Sequence, residues 1–376
     1  MRDADQRVTR GAASIGLRND YGATSGALNF FYNWGHHWIN DGYSVAPEST
    51  AGPLPYRFIS DDNMMGISWY QSARLFNGNR LTAGVDYFRF GGKAYNKFVE
   101  GDKMGQDTQI VDKKQDEIAG YLSTTQDFGR WITLNAGIRA DHHSDIGTEW
   151  ISQAGVVFHL PSSADLKLSA SKGFRYPIIR EMYMFPPQNP DLKPESMWNY
   201  ELSFAQRLLN GVLTYSISAY YIKGKNLIVT VPRQGATPLN MNIGKVENTG
   251  VDLQAAYRAS CKWSFNANYS YLHQKSPVPG APEHKLYAGV TFTPDRFRLS
   301  TGLQYINNLY TTVATGANDA NNTENFLLWN VTGSYRLNRN VEVWARGENL
   351  LAQRYEINAG YPMPRATVFA GVRVNF

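Results

Sequence analysis

Leu213-Thr-Tyr-Ser-Ile-Ser-Ala-Tyr-Tyr221 reads as a β-strand with two unlike faces. Leu213, Tyr215, Ile217, Ala219 and Tyr221 share one side, and Thr214, Ser216 and Ser218 the other, because successive strand side chains point to opposite faces. The alternation returns at Ile132–Ala140, Trp263–Tyr271, Leu166–Ala170 and Val341–Arg346. In the last segment Val368, Ala370, Val372, Val374 and Phe376 alternate with Phe369, Gly371, Arg373 and Asn375. No stretch follows a helical period convincingly. Short, turn-rich links at 76–79, 127–130, 161–164, 210–211, 259–262, 294–296 and 338–340 alternate with longer ones near 36–60, 91–114, 173–197, 224–240, 273–285, 310–324 and 350–363. The link at 141–148 is the one modest member of the long set. Short and long links therefore fall at opposite ends of one antiparallel sheet.

The strands run to about ten residues or more, against the five or six usual in soluble sheets. Their second face carries Arg139, Lys167, Glu201, Arg346 and Glu348, more charge than a dry core accepts. An outer-membrane barrel accounts for both, with an apolar, aromatic-rich face toward lipid, a polar lumen, short turns below and long loops above. A closed barrel also leaves no unpaired backbone edge in hydrocarbon. The expected fold is all-β, a transmembrane antiparallel β-barrel.

Composition excludes several other classes. The 376 residues contain 13% aromatic and 18% charged side chains, the latter below the roughly 25% of soluble domains. Mean hydropathy is −0.41, and no apolar run is long enough for a membrane helix. A single cysteine, Cys261, excludes an internal disulfide framework and a cysteine zinc site. Lys and Arg number 37 against 32 Asp and Glu, well mixed, which gives no nucleic-acid footprint.

About 17 strands can be counted, from near Gly11–Leu17 to 366–376. A whole barrel has an even number with both ends periplasmic, so the first strand here would descend from outside. Met1-Arg-Asp-Ala-Asp-Gln-Arg7 has no apolar core of a signal peptide. Residues 1–376 are therefore expected to be the C-terminal portion of a larger barrel. Ending on Phe376 inside an alternating strand resembles the signal that outer-membrane proteins present to the barrel assembly machinery.

Phe174-Arg-Tyr-Pro177, Glu181 and Asn189-Pro-Asp-Leu-Lys-Pro-Glu195 carry a resemblance to the TonB-dependent outer-membrane receptors. The motif residues are Phe174, Pro177, Glu181, Asn189, Pro190, Leu192, Pro194, Glu195 and Phe376. Glu247-Asn-Thr-Gly-Val-Asp252, Glu348-Asn-Leu-Leu351 with Arg354-Tyr355, and Pro364-Arg365 with Gly371 agree, although the family's Gly between Pro and Arg is absent. Physically, Pro190 and Pro194 fix φ and hold Asn189 and Lys193 extended, and Glu195 can meet loop amides or Arg175. The resemblance implies a 22-stranded barrel around a plug domain, and residues 1–376 are expected to include the barrel portion without the plug. It implies uptake of a scarce ligand such as a ferric siderophore, haem, cobalamin or a glycan across the outer membrane of a Gram-negative bacterium. The TonB-ExbB-ExbD complex would supply the energy through the N-terminal plug region.

No G-x-S-x-G, H-E-x-x-H, Walker loop or G-x-G-x-x-G occurs, so no enzyme is expected; a phospholipase or protease and a passive porin-like channel are the rival readings. No cofactor or metal is expected either. Adjacent residues on a strand face opposite ways, so neither His36-His37 nor His142-His143 can chelate one ion if extended. Ile178–Gln188 contains no His, which counts against haem, while Met182, Tyr183 and Met184 could line a hydrophobic or corrinoid site. Loop aromatics and arginines suit an anionic or amphipathic chelate, and Arg175, Tyr183, Arg233 and Tyr310 are the expected ligand contacts.

Overall fold

A computed structural model describes residues 5–40, 54–184, 187–233, 236–313 and 321–375; Phe376 lies outside the described residues. The strands are β1 (Asp5–Asp20), β2 (Thr24–Asn40), β3 (Tyr56–Ala73), β4 (Asn79–Phe98), β5 (Asp107–Phe128) and β6 (Ile132–His143). They continue as β7 (Gly147–Leu160), β8 (Ala164–Arg175), β9 (Glu195–Leu208), β10 (Leu213–Arg233), β11 (Ala236–Tyr257) and β12 (Trp263–Gln274). The last are β13 (Pro282–Phe292), β14 (Phe297–Thr312), β15 (Asn322–Arg336), β16 (Val341–Glu348), the two short strands β17 (Glu356–Asn358) and β18 (Tyr361–Pro362), and β19 (Thr367–Val374).

Seventeen strands form one sheet, with β17 and β18 as a separate hairpin. From β1 to β16 each strand pairs antiparallel with its neighbour in the chain, and β16 pairs with β19. Each strand thus bonds only to strands next to it in sequence, the small hairpin being stepped over.

The register carries one apolar face around the sheet. A single row of direct partners runs Leu168, Leu202, Ala219, Val251 and Tyr271 across β8 to β12. A second continues Leu286, Tyr305 and Leu327 across β13 to β15. These cross-strand contacts are the unit of sheet stabilisation, and the side chains stay open to the outside, as Ile217, Leu253 and Leu303 do. Arg139, Lys167, Glu201 and Arg346 fall on the opposite face by the same register, the lumenal one. There Arg139 bonds Asp86 and Asp141.

The short links are tight turns. Ser162 and Ser163 both have positive φ, 62° and 56°, the mirror-image turn whose twist matches a two-residue hairpin. The long-link end differs from the sequence expectation. Residues 91–98 with 107–114, and 224–233 with 236–240, continue the ladders of β4–β5 and β10–β11 instead of forming loops. Their polar composition suggests loops, but backbone pairing is indifferent to composition once a hairpin stands in water. The expected link 36–60 is likewise shortened, because β2 runs to Asn40 and β3 starts at Tyr56.

Candidate functional site at the long-link end

Loop 176–194, between β8 and β9, is the most organised part of the mouth. Pro177 restricts Tyr176 to extended geometry, and this sends the Tyr176 ring inward against His143, with centroids 4.8 Å apart, and against Phe174. The Tyr176 hydroxyl reaches the carbonyls of Asp141 at 2.7 Å and Gly147 at 3.1 Å. Pro177 and Met182 are fully buried and Leu192 nearly so, giving the loop a small core of its own.

A single π-type turn, Arg180–Met184, follows. Glu181 accepts the Ile178 amide at 3.0 Å, closing the start of the turn in the manner of a capping carboxylate. The same carboxylate takes two hydrogen bonds from Arg175, at 2.8 and 3.1 Å. Arg175 donates two more, both 2.8 Å, to Glu195. Arg175 and Glu195 are direct cross-strand partners, so the guanidinium spans the exit of one strand, the loop turn and the start of the next. Four of the five N–H groups that a guanidinium offers are then engaged. Glu195 also accepts the Ile228 amide at 2.7 Å, tying the clamp to β10.

Asparagines fasten the rest of the loop to β11. Asn242 accepts the Lys193 amide at 2.7 Å and donates to the Lys193 carbonyl at 2.8 Å, imitating one rung of a ladder. Asn240 donates to the Glu181 carbonyl at 3.0 Å, and its own carbonyl receives Asn189 at 2.7 Å. The Asn189 side chain also accepts the Asp191 amide, an Asx turn that suits the Pro190 bend. Sequence reasoning did not single out Asn240 and Asn242. Their one signal was Asn at alternate positions of Leu239-Asn-Met-Asn-Ile243, a residue depleted in strands.

Tyr183 lies on the turn. Its hydroxyl is 3.3 Å from Asp145, and Lys113 sits over its ring at 4.5 Å. Burial pushes Asp145 up, but hydrogen bonds from Gln115, Ser144 and Tyr183 outweigh it and hold the carboxyl below its usual range. Burial and the Asp145 charge raise Tyr183 in turn. Arg233, at the end of β10, donates to the Thr237 carbonyl at 2.9 Å. Tyr310 stands apart on β14, where its carbonyl accepts Gly280. All four expected contacts thus lie at the long-link end, but the loop joins Arg175 and Tyr183 only, and it places Arg175 in a clamp. The paired histidines diverge: His36 meets Asp61 at 2.7 Å, while His37 meets Arg10 at 2.9 Å. His142 meets Thr148, and His143 is buried.

A sheet with one continuous apolar face, a charged lumen and elaborated loops at one end defines a transmembrane β-barrel of the outer membrane with a receptor-type mouth. The profile described as "TonB dependent receptor-like, beta-barrel" matches residues 2–350. The chain belongs to this family of Gram-negative outer-membrane receptors and transporters. Among curated proteins it is 22% identical over 321 residues to the vitamin B12 transporter BtuB of Photobacterium profundum, covering 82% of this chain and 49% of that one. It is 25% identical over 340 residues to an iron-regulated outer membrane virulence protein of Vibrio cholerae, covering 81% and 50%. The chain thus spans about half the length of these relatives. Solved structures of like fold include the copper transporter OprC, with TM-score 0.85 and 17% identity over 100% of this chain and 67% of that one. Another is the siderophore receptor PirA from Acinetobacter baumannii, with TM-score 0.83 and 14% identity over 99% and 63%.

Proposed function

We propose that residues 1–376 are the C-terminal portion of the barrel wall and the extracellular mouth of a TonB-dependent transporter for a scarce ligand such as a ferric siderophore or cobalamin. In this reading a plug region N-terminal to the wall meets the TonB-ExbB-ExbD complex, and the barrel assembly machinery inserts the chain. Tyr183, Arg233 and Tyr310 are assigned to ligand contact. Arg175 is assigned to positioning, since its clamp shapes the loop that presents Tyr183.

The observation that carries the reading is the loop held folded at the mouth by Arg175, Glu181 and Glu195. A receptor that must capture a dilute ligand loses less affinity to ordering when its loop is already fixed. The test is uptake of labelled cobalamin and of labelled ferric siderophores by cells whose sole receptor contains this barrel, with and without TonB. Uptake of one ligand that vanishes without TonB is expected. TonB-independent uptake would mean a passive channel, and phospholipid or peptide hydrolysis by the detergent-purified protein would mean an enzyme.

A further inference from the structure

We infer that the periplasmic end of the lumen holds an anion site, built by arginines of β14, β15, β16 and β19, for a small solute that carries several carboxylates or a phosphate. The inference depends on which face of the sheet is lumenal and not on the uptake reading. Three cross-strand rows build the site. In the lowest, the Arg336 amide donates to the Arg296 carbonyl at 2.8 Å, and Arg336 leads through its partner Glu342 to Arg373. The next row runs Arg298, Ser334, Trp344 and Gly371, and the third Thr332, Arg346 and Phe369. Direct partners share a face, so all three rows lie on the lumenal side with Arg346. The strands end just below, β14 starting at Phe297, β15 stopping at Arg336 and β16 starting at Val341. The site therefore sits at the exit of the barrel and far from the loops of the mouth.

These side chains enclose a cavity of about 600 Å³, lined by five arginines against two carboxylates, Asp295 and Glu342. Sites for small molecules span about 300–1,000 Å³. The Trp344 indole forms the floor: it lies across Gly371, where a Cβ would come within 2.7 Å of the ring. Arg346 is fixed by Glu348 at 2.8 Å and by the Phe369 ring, 5.3 Å from its guanidinium carbon. Arg373 is fixed by Glu342 at 3.2 Å. Arg298 and Arg336 also line the cavity, and among the described residues their side chains have no ion pair or hydrogen bond.

Lumenal cations without an acidic partner occur elsewhere on the wall, as Lys167 on β8 and Arg207 on β9 do. The arginines of β14 to β19 differ in closing round one cavity with an aromatic floor. The guanidinium fork meets carboxylate and phosphate oxygens in pairs, and Arg298 and Arg336 bring two unengaged forks to the same space. A bound oxyanion would offset the repulsion among the cations, while the Thr332 and Ser334 hydroxyls offer further donors on the cavity wall. An anionic solute that has come down the lumen would be held here before it leaves for the periplasm.

The test is arginine footprinting with phenylglyoxal on the full-length receptor in detergent, in the presence of citrate, inorganic phosphate or glucose, read by mass spectrometry of its peptides. Citrate or phosphate is expected to slow modification of Arg298 and Arg336 by about tenfold, with Arg207 unaffected and glucose without effect. Protection by one anion alone would support the site and assign the group it takes. By calorimetry, Arg298→Gln with Arg336→Gln should weaken citrate binding by about tenfold. Lys167→Gln with Arg207→Gln removes the same charge from another stretch of wall and should leave binding unchanged. Heat-modifiable migration checks that both variants assemble, and if the first does not, the footprint on the unaltered protein decides. Equal protection of Arg207, protection by neither anion, or Arg298 and Arg336 already unreactive beneath a polypeptide segment would overturn the proposal.

Discussion

Arg175 owes its position to geometry that lysine cannot reproduce. Its fork meets two carboxylates at once, whereas an ammonium is a point donor. Arg175→Lys and Arg175→Ala should both loosen loop 176–194, by about 1–2 kcal/mol after allowance for its partial exposure. Faster proteolysis of the loop with unchanged heat-modifiable migration of the barrel would bear this out, and unaltered proteolysis would leave the clamp without a role. Gly250 gives a second case. The Tyr220 ring lies across it, and a Cβ there would also stand 2.7 Å from the Tyr271 carbonyl. Gly250→Val should therefore cost about 1–3 kcal/mol through overpacking, while Gly120→Ala, which meets nothing within 4 Å, should be neutral; denaturation midpoints compare them. The pH dependence of the loop follows from Asp145. Its pKa lies below the ordinary 3.8, so the stability it contributes is complete above that value and is lost as pH falls through the lower, folded one. Protection of the amides of 176–184 against hydrogen exchange, relative to their intrinsic rates at each pH, should be the same at pH 5 and pH 7 and fall only below the usual carboxylate range.

The strand is the scale at which the sequence was most legible. On β10 the alternation assigned Ile217 to the lipid side and Ser216 to the lumen, and the register gives their partners as Leu253 and Gln254. Ile217→Arg should hinder assembly, since a cation near the bilayer midplane costs about 2–4 kcal/mol, and Ser216→Arg should be far better tolerated. Folded yield in outer membranes measures the difference, and equal yields would contradict the assignment of faces. Strand ends were less legible. The upper ladders of β4–β5 and β10–β11 lack the apolar face that reveals the lower strand, so nothing in their composition separates a ladder in water from a loop. The loop's attachment was partly visible, because Arg175 and Glu195 sit in conspicuous motifs. Asn240 and Asn242 act on backbone groups 59 and 49 residues away, a pairing that no local pattern reveals.

At the scale of the whole sheet, residue pattern and link lengths together indicated about 17 strands and their alternating direction, and among the described residues the main sheet has seventeen, with the hairpin of β17 and β18 beside it. Ligand choice was not legible, because the expected contacts are scattered along the chain, and among the described residues Tyr310 on β14 shares no contact with the Arg175 clamp that would mark them as one site. The neighbour-only pairing of the sheet has a consequence for how such proteins diversify. A hairpin removed or duplicated between two short turns takes its hydrogen bonds with it, and the strands on either side can meet in the register the lost pair had bridged. Circumference can then change two strands at a time without rewriting the remaining sequence, so natural selection can resize the pore independently of the loops that crown it.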